Sequence, residues 1–289
     1  MMANPVAQAG LAARRRLGWW RSHRWLWLRR TCQLGVLALF LSGPWFGVWI
    51  LKGNYSASRF LDTLPMSDPL MMLESLLAGH WPALTALLGA LVVLGLYGLI
   101  ASRAFCGWVC PLNPVTDLAA WLRRRLAMRQ SAPLSRQLRY GILLAILVGS
   151  AASGTLLWEW LNPVALLGRS LIFGAGAGLW LILAIFLFDL LVTEHGWCGH
   201  LCPLGALYGL IGSRSLLRVG ATRRERCTRC MDCFHVCPEP QVLRDPVLNH
   251  NHSPLVLKQE CISCGRCMDV CAEQVFEFKT RFHRSGDKQ

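Results

Sequence analysis

Eight cysteines in two copies of one register constrain this chain more than any other feature. Cys227-Thr-Arg-Cys230-Met-Asp-Cys233-Phe-His-Val-Cys237 runs into Pro238, and Cys261-Ile-Ser-Cys264-Gly-Arg-Cys267-Met-Asp-Val-Cys271 repeats the spacing. Gaps of two residues let a tight loop aim three thiolates at one multi-iron centre, while the fourth cysteine of each run ligates the other centre. A zinc site fits less well, because it rarely takes three cysteines two residues apart followed by a fourth. The expectation is two [4Fe-4S] clusters. Cys227, Cys230, Cys233 and Cys271 would hold the first, and Cys261, Cys264, Cys267 and Cys237 the second. The second run ends in Cys271-Ala272 rather than Cys-Pro, but proline is not a ligand, so binding should survive the change.

Five of the thirteen cysteines lie outside these runs, and four of them form a second repeat. Arg103-Ala-Phe-Cys106-Gly-Trp-Val-Cys110-Pro111 is echoed by His195-Gly-Trp-Cys198-Gly-His-Leu-Cys202-Pro203. Each copy follows a long apolar run, and a proline after the second cysteine marks a helix end or restart. Three readings stand for these pairs. They form a shared four-thiolate metal or redox site, they cycle between dithiol and disulfide, or they are structural thiols packed under the ferredoxin-like tail. Cys32 reads as an apolar filler.

The remaining sequence is apolar, 54% hydrophobic and only 16% charged, against about 25% charged in ordinary soluble domains. Four runs, residues 32–51, 83–102, 140–157 and 170–192, approach the roughly 20 apolar residues of a spanning helix. Residues 67–79 are too short and polar to span and suit a surface helix. The net charge of +14 is gathered beside the apolar runs, so it reads as a topology signal and not as a nucleic-acid footprint. Arginines at 14, 15, 16, 21, 24, 29 and 30 precede the first run, and those at 103, 123, 124, 125, 129, 136 and 139 fill the second connection. The other connections carry only Lys52 with Arg59, and Arg169. The expected fold is an all-α polytopic membrane protein of four transmembrane helices with a small α+β two-cluster ferredoxin-like domain. Its location would be the bacterial inner membrane, multi-pass, with both termini cytoplasmic. The expected divisions are a basic segment 1–30, retained and not cleaved as a signal peptide, a membrane domain 31–217, and a cytoplasmic ferredoxin-type domain 218–289.

Quinol oxidation at such a protein would need a proton acceptor, and two carboxylates are candidates. Glu159 lies between Trp158 and Trp160, where it reads more readily as an exposed residue of an aromatic belt. Asp189 lies within the fourth apolar run, where an ionisable residue is a functional candidate, or else a partner for a base such as Arg103. His80 and His195 read as ordinary edge residues, and His250 and His252 as solvated loop histidines. Nucleotide-binding glycine loops, catalytic triads and flavin motifs are absent from the sequence.

Four apolar runs, two Cys-x3-Cys-Pro motifs and a two-cluster tail together resemble the NapH-type ferredoxin subunits of periplasmic nitrate reduction systems, over nearly the whole chain. The resemblance implies a membrane iron–sulfur electron-transfer subunit of a quinol dehydrogenase, and not a stand-alone catalyst. Its partners would be a NapG-like periplasmic ferredoxin subunit, a multihaem cytochrome of the NapC type and the ubiquinol or menaquinol pool. NosR-type proteins are similar but carry a large flavin-binding domain before the first apolar run, where this chain has Met1 to Arg30. FixG-type proteins are similar but continue into a further C-terminal domain. The expectation therefore favours the NapH type. A redox-sensing or maturation factor of a respiratory metalloenzyme, built on the FixG/NosR core, is the alternative.

Overall fold

Helix formation follows the apolar runs only in part. A computed structural model describes residues 8–128, 131–173, 176–249 and 251–282. Arg129, His250 and positions 174–175 of the fourth run thus lie outside the described residues.

After the short helix α1 (Leu11–Leu17) comes α2 (Arg24–Phe46), which ends at Gly47 in the left-handed conformation. A three-stranded antiparallel sheet follows, of β1 (Leu51–Gly53), β2 (Ala57–Phe60) and β3 (Leu64–Ser67), in the order β1-β2-β3. Helix α3 (Pro69–Leu77) then starts at Asp68, whose carboxylate accepts the Leu70 N–H at 2.9 Å. It is interior and not the expected surface helix, since Leu70 and Glu74 are fully buried.

The expectation of four transmembrane helices, and with it the multi-pass placement in the inner membrane, is overturned. Among the described residues no helix is long and apolar enough to cross a membrane. Helices α4 (Leu84–Leu99) and α7 (Leu138–Ser153) have 16 residues each. At 1.5 Å per residue that is about 24 Å, short of a hydrocarbon core of about 30 Å. The fourth run is divided between α9 (Pro163–Phe173), which begins upstream of it, and α10 (Ala177–Leu191). Helix α2 has 23 residues, but Arg24, Arg29, Arg30 and Gln33 occupy its first half. The helices stop short within the apolar runs, and glycines end α2 and α7. The region expected to be all-α also carries a sheet, β1-β2-β3, between α2 and α3.

Between α4 and α7 lie α5 (Ala104–Trp108) and α6 (Asn113–Arg125), and α8 (Leu157–Leu161) precedes α9. A π-helical turn over Trp197–Leu201 leads into α11 (Pro203–Ile211). Leu70, Met71, Leu143, Ile146, Trp158, Leu204 and Tyr208 make one core among α3, α7, α8 and α11. Tyr97, Phe105 and Tyr208 pack edge-to-face and tilted around its edge with ring centroids 5.3–5.9 Å apart.

The tail has its own core of Val219, Val242, Leu243, Val247, Val256, Val275 and Phe276. Strands β4 (Leu217–Gly220) and β5 (Glu277–Thr280) pair antiparallel and close it, with Val219 opposite Phe278. Between them lie α12 (Asp232–Val236), α13 (Arg244–Leu248) and α14 (Arg266–Val270). Two tail carboxylates reach back to cap the N-terminal helices. Asp269 accepts from the Trp25 and Leu26 N–H groups at 3.0 and 2.9 Å, and Asp232 accepts from Gly10 N–H at 2.9 Å.

Candidate iron–sulfur sites

The two tail runs fold alike, and backbone conformation is the reason. Arg229 and Met231 flank Cys230 with φ of 55° and 65°, and Ser263 and Gly265 flank Cys264 with φ of 49° and 74°. Left-handed residues on either side of a cysteine turn successive N–H groups inward, which makes a concave anion-binding nest. Gly265 is also forced by space, because a Cβ there would lie 2.6 Å from Trp25 Cγ. Short helices α12 and α14 follow, each carrying the third cysteine of its run.

The thiols assort across the runs. Cys233 lies within electrostatic reach of Cys271, Cys230 and Cys227, and Cys271 of Cys230 and Cys227. Cys237 faces Cys264 and Cys261, while Cys267 faces Cys264, Cys237 and Cys261, with Cys233 of the other set weakest. Cys233, Cys264 and Cys267 are buried, and Cys230 is exposed. Burial first, then the neighbouring thiols, pushes Cys233 up to about 12. Such thiols become thiolates only with a cationic centre to compensate them. Backbone N–H groups already point at several sulfurs. Val275 donates to Cys271 Sγ at 3.4 Å, Glu239 to Cys237 and Ser263 to Cys261. The Arg266 guanidinium donates to Cys264 Sγ at 3.7 Å. Hydrogen bonds of this kind tune iron–sulfur potentials. Among the described residues no three His, Cys, Asp or Glu side chains close on a single metal ion. A cubane takes its thiolates at its corners, further apart than the ligands of one ion. The donor set therefore fits iron–sulfur clusters.

The Cys-x3-Cys motifs lie against this domain. Trp108 Nε1 donates to the Ser263 carbonyl at 3.0 Å, and Ser102 Oγ to the Gln259 carbonyl at 2.8 Å. A Cβ on Gly107 would stand 2.8 Å from the Ile262 carbonyl oxygen, so only glycine permits this approach. Behind the motifs Glu239 is buried with Arg103 (2.9 Å), Arg139 (2.6 Å) and Arg136 as ion-pair partners. Asp117 on α6 similarly binds Arg30, Arg266 and, at 3.5 Å, Arg29.

Neither Glu239 nor Asp117 stands out as a site in the sequence. Asp117 carried a signal, as the lone carboxylate among the seven arginines of residues 103–139. Glu239 followed Cys237-Pro238 and looked like loop.

Other sequence candidates lie apart. Glu159 is ion-paired with Arg169 at a partly exposed position. Asp189 is fully buried and accepts from Trp197 N–H at 2.9 Å, while Arg103 pairs with Glu239 instead. Burial lifts Asp189 to about 7 against the pull of that N–H. His80 Nε2 lies 3.0 Å from the Gly154 carbonyl, His195 is buried, and Cys32 is a partly buried free thiol.

Families with known members match the same segments. The 4Fe-4S dicluster domain matches residues 221–272, and a 4Fe-4S binding domain matches twice, over residues 82–129 and 174–222. With the crossed thiol sets, this defines a ferredoxin-type iron–sulfur protein of electron transport. Ferredoxin-type protein NapH of Escherichia coli (strain K12) is 62% identical over 99% of this chain and 100% of its own length. Its counterpart from Haemophilus influenzae is 60% identical over the same shares. The methylamine utilization ferredoxin-type protein MauN of Methylorubrum extorquens is 48% identical over 94% of this chain and 93% of its own. The chain belongs to the NapH family of ferredoxin-type proteins, as its motifs led us to expect. No solved structure matches it.

Proposed function

We propose that this protein is the electron-transfer subunit of a quinol dehydrogenase, taking electrons from ubiquinol or menaquinol and passing them, with a NapG-like ferredoxin partner and a NapC-type multihaem cytochrome, toward a periplasmic nitrate reductase. The crossed assortment of eight tail thiols is the observation that carries the reading. Cys227, Cys230, Cys233 and Cys271 hold one [4Fe-4S] cluster, and Cys261, Cys264, Cys267 and Cys237 hold the other, in a cluster domain within 218–289. When bound, such clusters supply one-electron storage at low reorganisation cost. Oxidation of one hydroquinone to quinone releases two electrons and two protons, which matches two one-electron centres with the protons going to water. The chain's own part is to hold the thiolates, to aim N–H groups at the sulfurs, and to keep the second site dry. Its partners are those that the likeness to NapH-type subunits implies.

The test is anaerobic addition of menaquinol or ubiquinol to the loaded protein, followed by electron paramagnetic resonance. Reduction of the tail clusters within seconds to minutes supports the reading. Failure of either quinol to reduce clusters that dithionite does reduce overturns it and favours a redox-sensing or maturation factor.

A further inference from the structure

The two Cys-x3-Cys motifs are built as structural copies of each other, beyond their sequence likeness. Arg103 and His195, each three residues before the first cysteine, are both left-handed, with φ of 49° and 52°. Cys110 N–H donates to the Phe105 carbonyl and Cys202 N–H to the Trp197 carbonyl, each at 2.9 Å and each spanning five residues. Beyond the second cysteine each chain turns into a helix, α6 or α11. There the Cys110 sulfur accepts from the N–H groups of Leu112 and Asn113, and the Cys202 sulfur from Leu204 and Gly205. Those donors are the residues two and three further on in both motifs. The donor two residues on is also the one found at Cys237 and Cys261, two of the tail cysteines.

The copies face one another. Cys110 lies within electrostatic reach of Cys106 and Cys202, Cys202 of Cys106, and Cys198 of all three. All four are free thiols, partly buried. The Arg103 guanidinium faces Cys106 and Cys202, and donates to the Cys198 carbonyl at 3.0 Å. The cation is thus held beside two of the four sulfurs. Four thiols that would repel one another as thiolates need a further cationic centre to share.

We propose that Cys106, Cys110, Cys198 and Cys202 together hold a third iron–sulfur cluster, of the [4Fe-4S] type, at the joint between the two repeated halves of the chain. The matched N–H donors to Cys110 and Cys202 and the convergence of the four thiols carry it. The site adjoins the second tail set. A Cβ on Gly107 would stand 2.8 Å from the Ile262 carbonyl oxygen and 3.6 Å from Cys264 Cβ, and one on Gly199 would stand 4.0 Å from the carbonyl oxygen of Pro238, beside Cys237. This site goes beyond the quinol reading and stands or falls independently of it.

Iron and acid-labile sulfide are counted per chain on the full-length protein, loaded anaerobically, as wild type and as Cys106→Ser/Cys198→Ser. Three clusters correspond to about 12 iron atoms, and loss of one leaves about 8. The expected result is about 12 for wild type and about 8 for the variant, with the tail signals in the Mössbauer and electron paramagnetic resonance spectra unchanged. A wild-type count of about 8 overturns the proposal and leaves the two tail clusters standing, and this arm does not depend on any variant folding. Alkylation mass spectrometry showing a disulfide within the four, or elemental analysis showing one zinc ion there, also overturns it. A Cys230→Ser variant separates the sites, because it perturbs a tail signal while the signal lost in Cys106→Ser/Cys198→Ser persists.

Discussion

Arg103 Nη1 donates to Glu239 Oε1 at 2.9 Å, with both side chains 2% exposed. Arg103 begins the first Cys-x3-Cys motif, and Glu239 follows the last cysteine of the first tail run. Their contact ties the repeated helical region to the cluster domain. Arg139 adds a second buried cation from α7 at 2.6 Å, and Arg136, partly exposed, is a third partner. Replacing such a group by apolar residues can be neutral, but removing one partner leaves the others buried and uncompensated.

Glu239→Gln is therefore expected to destabilise the protein by about 3–5 kcal/mol, because Arg103 and Arg139 lose their counter-charge. The measurement is the urea midpoint of the helical circular dichroism signal, compared with Glu225→Gln on the exposed side of the tail. An unchanged midpoint for Glu239→Gln would show that the joint is not a structural tie.

Acid should reproduce this loss in the wild type. Burial acts to raise the Glu239 pKa, and Arg103, Arg139 and Arg136 outweigh it, holding it below its ordinary value of 4.5. A carboxylate held lower in the folded state contributes stability in full above its unfolded value, and that contribution is lost as pH falls through the folded value. The gap in urea midpoint between wild type and Glu239→Gln should be constant from pH 7 to about pH 5 and close at lower pH. A gap that instead widens on acidification contradicts the assigned ion pairs.

The tail was legible in the sequence because its constraint is local. Two residues between thiols and a left-handed residue beside Cys230 and Cys264 specify one loop, whatever surrounds it. The helical region was not, because hydropathy reports composition along a run and not where the helix within it stops. Residues 83–102 read as one span, yet α4 begins at Leu84 and ends at Leu99, and Ser102 turns away to bond the Gln259 carbonyl. Sheet β1-β2-β3 was invisible for a related reason, since strands of 3 and 4 residues are too short for alternation to register. Glu239 and Asp117 were missed because each acquires its meaning from arginines on other elements. No spacing rule connects residues more than 80 positions apart.

Gly265→Ala should damage the second cluster site more than a typical glycine substitution. Its φ of 74° costs an L-residue about 1–2 kcal/mol, and the new methyl would meet the Trp25 ring. The expected outcome is a lower urea midpoint and a loss of about 4 iron atoms per chain, with Gly18→Ala, where open space surrounds the site, as the comparison. Equal iron retention in both variants would show that this turn does not shape the site.

Stripping the iron with a chelator should unfold the tail before the helical region. Helices α12 and α14 have only 5 residues each, well short of the roughly 12 a helix needs to persist alone. Binding energy at such a centre is folding energy. Amide exchange at Val219 and Val275, in the tail core, should accelerate at least tenfold on iron removal, while exchange at Leu143 and Ile146 changes little. Uniform acceleration across both cores would mean that the two regions fold as one unit.

The contact at Gly107 gives the sharpest test of how the motifs meet the tail. A methyl at this position would stand 2.8 Å from the Ile262 carbonyl oxygen, and that oxygen belongs to backbone pinned between Cys261 and Cys264. Neither side can yield cheaply, since Trp108 Nε1 holds the adjacent Ser263 carbonyl at 3.0 Å. Gly107→Ala should therefore force the first motif off the second tail loop, at about 1–3 kcal/mol of overpacking. Trp108→Phe, which removes the indole N–H and trims the ring while leaving Gly107 unchanged, should cost about 1 kcal/mol for the hydrogen bond and leave the approach intact. Limited proteolysis between Ile211 and Leu217 is the readout, because that connection becomes accessible when the regions separate. Cleavage in Gly107→Ala at least several-fold faster than in Trp108→Phe is expected, and equal rates would place the joint elsewhere.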